Sequence, residues 1–155
     1  MKIIRSKILS EYKELIHGVS TRTGCNRKAP FYFNLSLTVG DDPAIVEENR
    51  LAFFNELGIS GSIVLQGQTH SDNVTIVETG CFLENNDALI TDKKNLALAV
   101  SLADCTPILI YDREKKVIAA VHSGWRGTEK KILLKTLQKL KEVFNSKPEN
   151  LITYI

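Results

Sequence analysis

An acid and a thiol stand side by side at the seam of two apolar runs. Asp104 and Cys105 lie in SLADCTP, residues 101–107, between LALAV and ILIYD. A buried carboxylate is costly unless paired or put to use, whereas a free cysteine is an ordinary core residue. It is the pairing that calls for chemistry. Two other segments place reactive side chains at the ends of apolar runs in the same way. LQGQTHSDNV carries Gln68 and His70, and AAVHSGWRGTEKK carries His122 ahead of a glycine-bracketed Trp125 and Arg126.

If those ends converge, His70, Cys105 and His122 make a three-ligand metal site. Soft thiolate with imidazole suits zinc, with copper as the alternative. A catalytic zinc takes three protein ligands and keeps an open position for water, whose pKa it lowers to about 7. The separations of positions 70, 105 and 122 match no zinc-finger spacing, so a small structural zinc module is excluded. Spacing leaves a plainer alternative open: a loop histidine, a core thiol and a strand-end histidine bonded to backbone.

Asp87 and Asp104 are the carboxylates beside apolar strands and the candidates for general acid–base work. Asp87, in NNDALIT, reads equally well as a turn or capping residue. Arg126 and the N-terminus of a helix expected from about Thr128 form a candidate anion site for phosphate or carboxylate. Gly124 and Gly127 permit a close or unusual backbone there. The alternative is a structural turn in which Trp125 packs and Arg126 pairs with an aspartate at the core edge.

The elements that must hold these groups follow from pattern. IIRSKIL and IHGVSTR read as short strands. Asp42, Pro43 and Gly58 bracket a helix whose apolar face is expected at Ile45, Leu51, Phe54 and Leu57. SIVLQ, NVTIVE, DALIT, LALAVSL, PILIYD and VIAAVH then follow as strands. LALAVSL and VIAAVH are apolar on both alternations, as central strands are. A second helix is expected from Thr128 through EKKILLKTLQKLKEVF, with Ile132, Leu133, Leu137, Leu140 and Phe144 inward, and LITYI closes as a strand. The expected fold class is α/β (α+β): one domain over residues 1–155, with a mixed, largely buried sheet flanked by helices.

Composition bounds the function. The chain has 155 residues, 43% hydrophobic and 25% charged, with a net charge of +2. No basic footprint suggests nucleic acid, and the lysines at 130–141 read as the solvated face of a helix. Charges interrupt the first 17 residues, so no secretory leader is expected. No run approaches the roughly 20 apolar residues of a membrane span. Three irregularly spaced cysteines argue against a disulfide framework and fit a reducing cytoplasm.

HGVSTRTG, GDDP with VEENR, QTHSDNV, DALIT, LAVSLADCTPILIYD and AAVHSGWRGT occur in order from about residue 17 to 128. Together they resemble the laccase-domain family, also known as polyphenol oxidases, peptidoglycan editing factors and purine nucleoside phosphorylases of the multicopper-oxidase-like type. The resemblance implies a zinc site of His70, Cys105 and His122. It implies phosphorolysis of adenosine, inosine and methylthioadenosine and deamination of adenosine, with purine nucleoside and phosphate as partners. Arg126 would hold phosphate, with Arg22 as a second anion contact, and Asn34 and Gln68 would bind ribose or base. Asp104 or Asp87 would move the proton, or Asp104 would orient a histidine. Copper-dependent phenol oxidation is the alternative enzyme. A non-catalytic metal-stabilised binding domain, linked to peptidoglycan precursor editing, is the alternative of another class. Family domains continue several dozen residues beyond the equivalent of Ile155, so this chain is expected to be C-terminally short relative to them. A homo-oligomer is among the ways its core would then be completed.

Overall fold

A computed structural model describes residues 1–155 throughout. The chain packs as two compact units, Met1–Ser60 and Gly61–Ile155.

In the first unit, β1 (Ile3–Ile4) pairs antiparallel with β2 (Val19–Ser20). The expected strands IIRSKIL and IHGVSTR are therefore two residues long each, and a local cause is visible. The Ser6 N–H donates to Nε2 of buried His17, and the Ser6 carbonyl accepts from the Ser10 N–H. Ser6 thus turns the chain into a 3-10 turn at Leu9–Glu11 instead of continuing a ladder. Helix α1 (Pro43–Leu57) begins as expected: Asp42 accepts from the Ala44 N–H at 2.9 Å, Pro43 fills the first helical position, and Gly58 ends the helix at φ 76°. Its buried face is the expected one only in part: Leu57 is buried and Phe54 packs against the cluster of Phe33, Phe53 and Leu57. Val46, Asn49, Phe53 and Leu57 are buried, while Leu51 is 64% exposed. Asn49 explains the rotation, because its side chain donates to the Asn34 carbonyl and accepts from Arg27. A polar anchor turned inward brings Val46 and Phe53, which share its face, into the seam and leaves Leu51 out of it.

The second unit holds the sheets of the mixed α/β class that the sequence predicts. Its strands are β3 (Ser62–Gly67), β4 (Val74–Ile76), β5 (Phe82–Glu84), β6 (Ala88–Thr91), β7 (Leu96–Leu98), β8 (Thr106–Asp112), β9 (Val117–Ser123) and β10 (Leu151–Tyr154). Five form one sheet in the order β10-β8-β9-β6-β4, parallel between β4 and β6 and antiparallel elsewhere. The other three, β5-β3-β7, form a parallel sheet. β9 is central and almost wholly buried, as its two-sided apolar pattern requires. LALAVSL is not central. Only Leu96–Leu98 is a strand, and it lies at a sheet edge. Both backbone groups of Ser101 are taken by the Gln68 side chain, so the ladder cannot run on through that segment.

The expected second helix is two helices, α2 (Trp125–Glu129) and α3 (Ile132–Phe144), with Lys131 between them at φ 61°. Ile132, Thr136 and Leu140 of α3 are buried, and Leu133, Leu137 and Phe144 pack against the core made by β6, β8 and β9. The turn between β8 and β9 is held by Asp112, which is buried and accepts from the Glu114 and Lys115 N–H groups at 2.9 Å each. Burial pushes its carboxyl up, but the N–H groups of Lys115 and Glu114, with the nearby Lys115 charge, outweigh burial and hold it below the ordinary value. A carboxylate so depressed contributes stability above its unfolded pKa, and that contribution is lost as pH falls through the folded value. D112N is expected to lower stability at neutral pH and to flatten the acid side of the curve, read by thermal melts from about pH 6 to about pH 2. An acid limb as steep as that of the parent would assign the acid transition to other groups.

Candidate metal centre

The site forms where β8 begins and β9 ends. These strands are antiparallel neighbours with Thr106 opposite Ser123 and Pro107 opposite His122. Cys105, one residue before β8, is thereby brought beside His122. His70 comes from the loop between β3 and β4, and β4 reaches the same sheet through β6. The ligand atoms of His70, Cys105 and His122 all lie within 4.8 Å of one another. The two imidazoles meet edge to face, with centroids 4.9 Å apart. His122 is 3% exposed, and His70 and Cys105 are half-buried.

Asp87 ties this arrangement together from below. It lies between β5 and β6, immediately before β6, and is 0% exposed. Its Oδ1 lies 2.7 Å from Nδ1 of His122 and accepts the His70 backbone N–H at 3.2 Å. Its Oδ2 accepts from the Ser71 N–H at 2.7 Å, the Ser71 hydroxyl at 2.6 Å and the Thr69 N–H at 3.3 Å. Burial pushes this carboxyl up, but hydrogen bonds from His122, Ser71 and Thr69 outweigh burial and hold it at about 2.

Three observations fit a metal to these residues. Nδ1 of His70 is buried and has no hydrogen-bond partner, which costs free energy unless something else takes its lone pair or proton. Gly124 leaves a hollow: a Cβ there would stand 2.4 Å from His70 Nδ1 and 3.3 Å from Cys105 Sγ. A donor set of two imidazoles and one thiolate suits zinc or copper. Burial pushes the Cys105 thiol up, and the adjacent Asp104 carboxylate adds to the effect. A cation taking the thiolate would therefore displace a proton.

The other expected site residues are distributed as follows. Asp104 is exposed, and its negative charge beside Cys105 helps to push that thiol up. The acid of the opening pair is thus not buried; the buried acid is Asp87. Gln68 closes both ends of its amide on Ser101, donating to the carbonyl at 2.6 Å and accepting from the N–H at 2.7 Å. It splices the His70 loop to the segment that leads into Cys105. Arg126 is exposed and its guanidinium sits over the Trp125 ring at 5.1 Å. Trp125 is itself 71% exposed, so the turn in which Trp125 packs and Arg126 pairs with an aspartate does not form. Thr128 is not a helix start. Its N–H and hydroxyl both donate to the Gly124 carbonyl within α2, a helix of five residues. Arg22 and Asn34 belong to the first unit. There Arg22 lies over the Tyr32 ring at 4.6 Å, and the Asn34 amide bonds Ser36 and Asp41.

Two contributors were not legible from residue type alone. Ser71 is an ordinary polar loop residue by type, and its one signal is its position directly after His70. Gly124 stood in a glycine-bracketed turn, but its φ of −74° is ordinary backbone. It is glycine because the cradle has no room for a Cβ.

A mixed α/β unit with a two-histidine, one-cysteine cradle at adjoining strand ends is the class that fold and site define. The chain belongs to the multi-copper polyphenol oxidoreductase laccase family, whose model matches residues 16–155. Among curated relatives, a purine nucleoside phosphorylase of Corynebacterium glutamicum is 40% identical over 138 residues, covering 85% of this chain and 56% of that protein. An adenosine deaminase, RL5, from an unknown prokaryotic organism is 33% identical over 118 residues, covering 69% of this chain and 45% of its own length. The crystal structure of YlmD from Geobacillus stearothermophilus superposes with a TM-score of 0.81 at 27% identity, covering 88% of this chain and 55% of that one. The chain spans about half the length of the curated relatives it matches. No helix is long and apolar enough to cross a membrane.

Proposed function

We propose that this chain carries the metal centre of a zinc-dependent purine nucleoside enzyme that phosphorolyses adenosine, inosine and methylthioadenosine and also deaminates adenosine. The observation that carries the reading is the cradle of His70, Cys105 and His122 within 4.8 Å, in a chain whose relatives are named for these two activities. Bound there, zinc would supply Lewis acidity toward the substrate and an acidified water for hydrolytic chemistry.

The chain's own groups supply the rest. Asp104 is exposed beside Cys105 and is the carboxylate free to move a proton at the mouth of the cradle. Arg126, two residues beyond the cradle glycine, offers a guanidinium to phosphate. The exposed Trp125 ring offers a face on which a purine can stack. In phosphorolysis the bond from ribose C1′ to the base nitrogen breaks and a phosphate oxygen bonds C1′. The base leaves with a proton and ribose 1-phosphate remains. In deamination water adds at purine C6, ammonia leaves, and inosine results.

Zinc is favoured over copper by the residues themselves. A blue-copper centre adds a weak axial ligand, often methionine, and the sole methionine is Met1. Of three histidines, His17 is already engaged through Nε2 with Ser6, so no second copper cluster can be built. Three free cysteines accord with a cytoplasmic setting.

The test is incubation of zinc-loaded protein with adenosine and phosphate, followed by chromatography. Adenine with ribose 1-phosphate is the expected main product, and inosine would make deamination the principal reaction. Absence of both from a folded, zinc-replete sample overturns the reading.

A further inference from the structure

We propose that Asp87 is the positioning residue of the metal centre, setting the geometry of both histidine ligands with one carboxylate. The inference rests on the metal reading above and is independent of the purine reading.

His122 and His70 come from elements that are distant in sequence, and nothing in β9 or in the loop after β3 aligns them by itself. Asp87 does so. With Nδ1–H of His122 committed to Oδ1 at 2.7 Å, the tautomer is fixed and the Nε2 lone pair is left for the cation. The Asp87 carbonyl also accepts the His122 backbone N–H at 2.8 Å, so ring and backbone are pinned by one residue. On the other side the carboxylate collects three successive N–H groups, from Thr69, His70 and Ser71. His70 sits there at φ 56°. Non-glycine residues are uncommon in that region and persist when the surroundings impose it. Those N–H bonds, with the Ser71 hydroxyl, impose it here.

The same inventory removes Asp87 from proton transfer. Two carboxylate oxygens offer about four lone-pair sites, and five donors already converge on them. The carboxylate is also fully buried, so no substrate atom reaches it.

The experiment is zinc affinity of the folded D87N protein, by competition with a chromophoric chelator, with the visible spectrum of the Co2+-loaded form as a second readout. Asparagine keeps the shape but has a single acceptor oxygen and turns an N–H2 toward groups that also donate. Zinc binding is expected to weaken about 10- to 100-fold, with a shifted Co2+ spectrum. A purely structural role would lower the melting temperature and leave both readouts unchanged, and that result overturns the proposal. S71A removes one of the five donors and keeps the charge; it carries the test if D87N does not fold. Zinc binding weakened at least about threefold in S71A supports the proposal, and parental affinity overturns it. Neither measurement uses a nucleoside, so loss of the purine reading leaves this result standing.

Discussion

Replacing Cys105 with alanine is expected to give a folded protein that neither retains zinc nor turns over purine nucleoside. Cys105 is half-buried at the entry to β8 and belongs to none of the apolar clusters of the second unit, so the fold loses little. The cradle loses its only anionic ligand. Two neutral imidazoles remain, one of them half-exposed. Disturbing a group that merely supports a ligand costs about 10- to 100-fold in metal affinity, so removing the ligand should cost more than about 100-fold. Chelator competition reads this directly. Stoichiometric zinc in the dialysed variant, or parental turnover, would show that the catalytic cation sits elsewhere. The parent protein offers a companion signature. Its thiol is held protonated by burial and by Asp104, so zinc uptake should release a proton and apparent affinity should fall as the medium is acidified.

The reason Cys105, His70 and His122 stood out in the sequence is physical. Strands buried on both faces carry no polar residue by accident, so polar side chains collect at strand ends, and strand ends of one sheet are close in space. That logic selected, without coordinates, the three side chains whose ligand atoms lie within 4.8 Å of one another. It did not reach the pairing of β8 with β9 that makes Cys105 and His122 neighbours, because strand order is set by contacts distant in sequence. It left the acid undecided. Asp104 and Asp87 both stood beside apolar strands as candidates, Asp87 reading equally well as a turn residue, and strand pairing makes Asp87 the buried partner of the histidines.

The failures among the elements have the same character. No glycine or proline warned that Lys131 would take a left-handed conformation and split the second helix. The face of α1 was read only in part, Leu57 and Phe54 correctly and Leu51 not, because Asn49 counts as polar in any pattern, yet it is 0% exposed and bonded on both ends of its amide. The shortened β7 follows from Gln68 capturing Ser101 across 33 residues. In the last two cases a polar side chain satisfied by a remote backbone group overrode the local apolar pattern, and such bonds leave no periodic trace.

Gly124→Ala is the more selective blow to the site. The backbone at Gly124, φ −74° and ψ 171°, is open to any residue, so alanine carries no conformational penalty there. Its Cβ, however, would stand 2.4 Å from His70 Nδ1, 3.0 Å from His70 Cε1 and 3.3 Å from Cys105 Sγ. The first distance is impossible for unbonded atoms, and the obstacle is an imidazole hemmed in by the Asp87-held loop. The ring must swing out of the cradle or α2 must lift from it. The swing separates His70 from the other two ligands, and the lift opens the cradle wall, while β8 and β9 stay paired. The variant should therefore melt near the metal-free parent yet bind zinc more than about 100-fold more weakly, by the same reasoning as for a lost ligand. Its Co2+ spectrum should be that of a site with fewer protein ligands. Parental zinc affinity in Gly124→Ala would mean that His70 can leave without consequence, and the three-ligand centre would then reduce to Cys105 and His122.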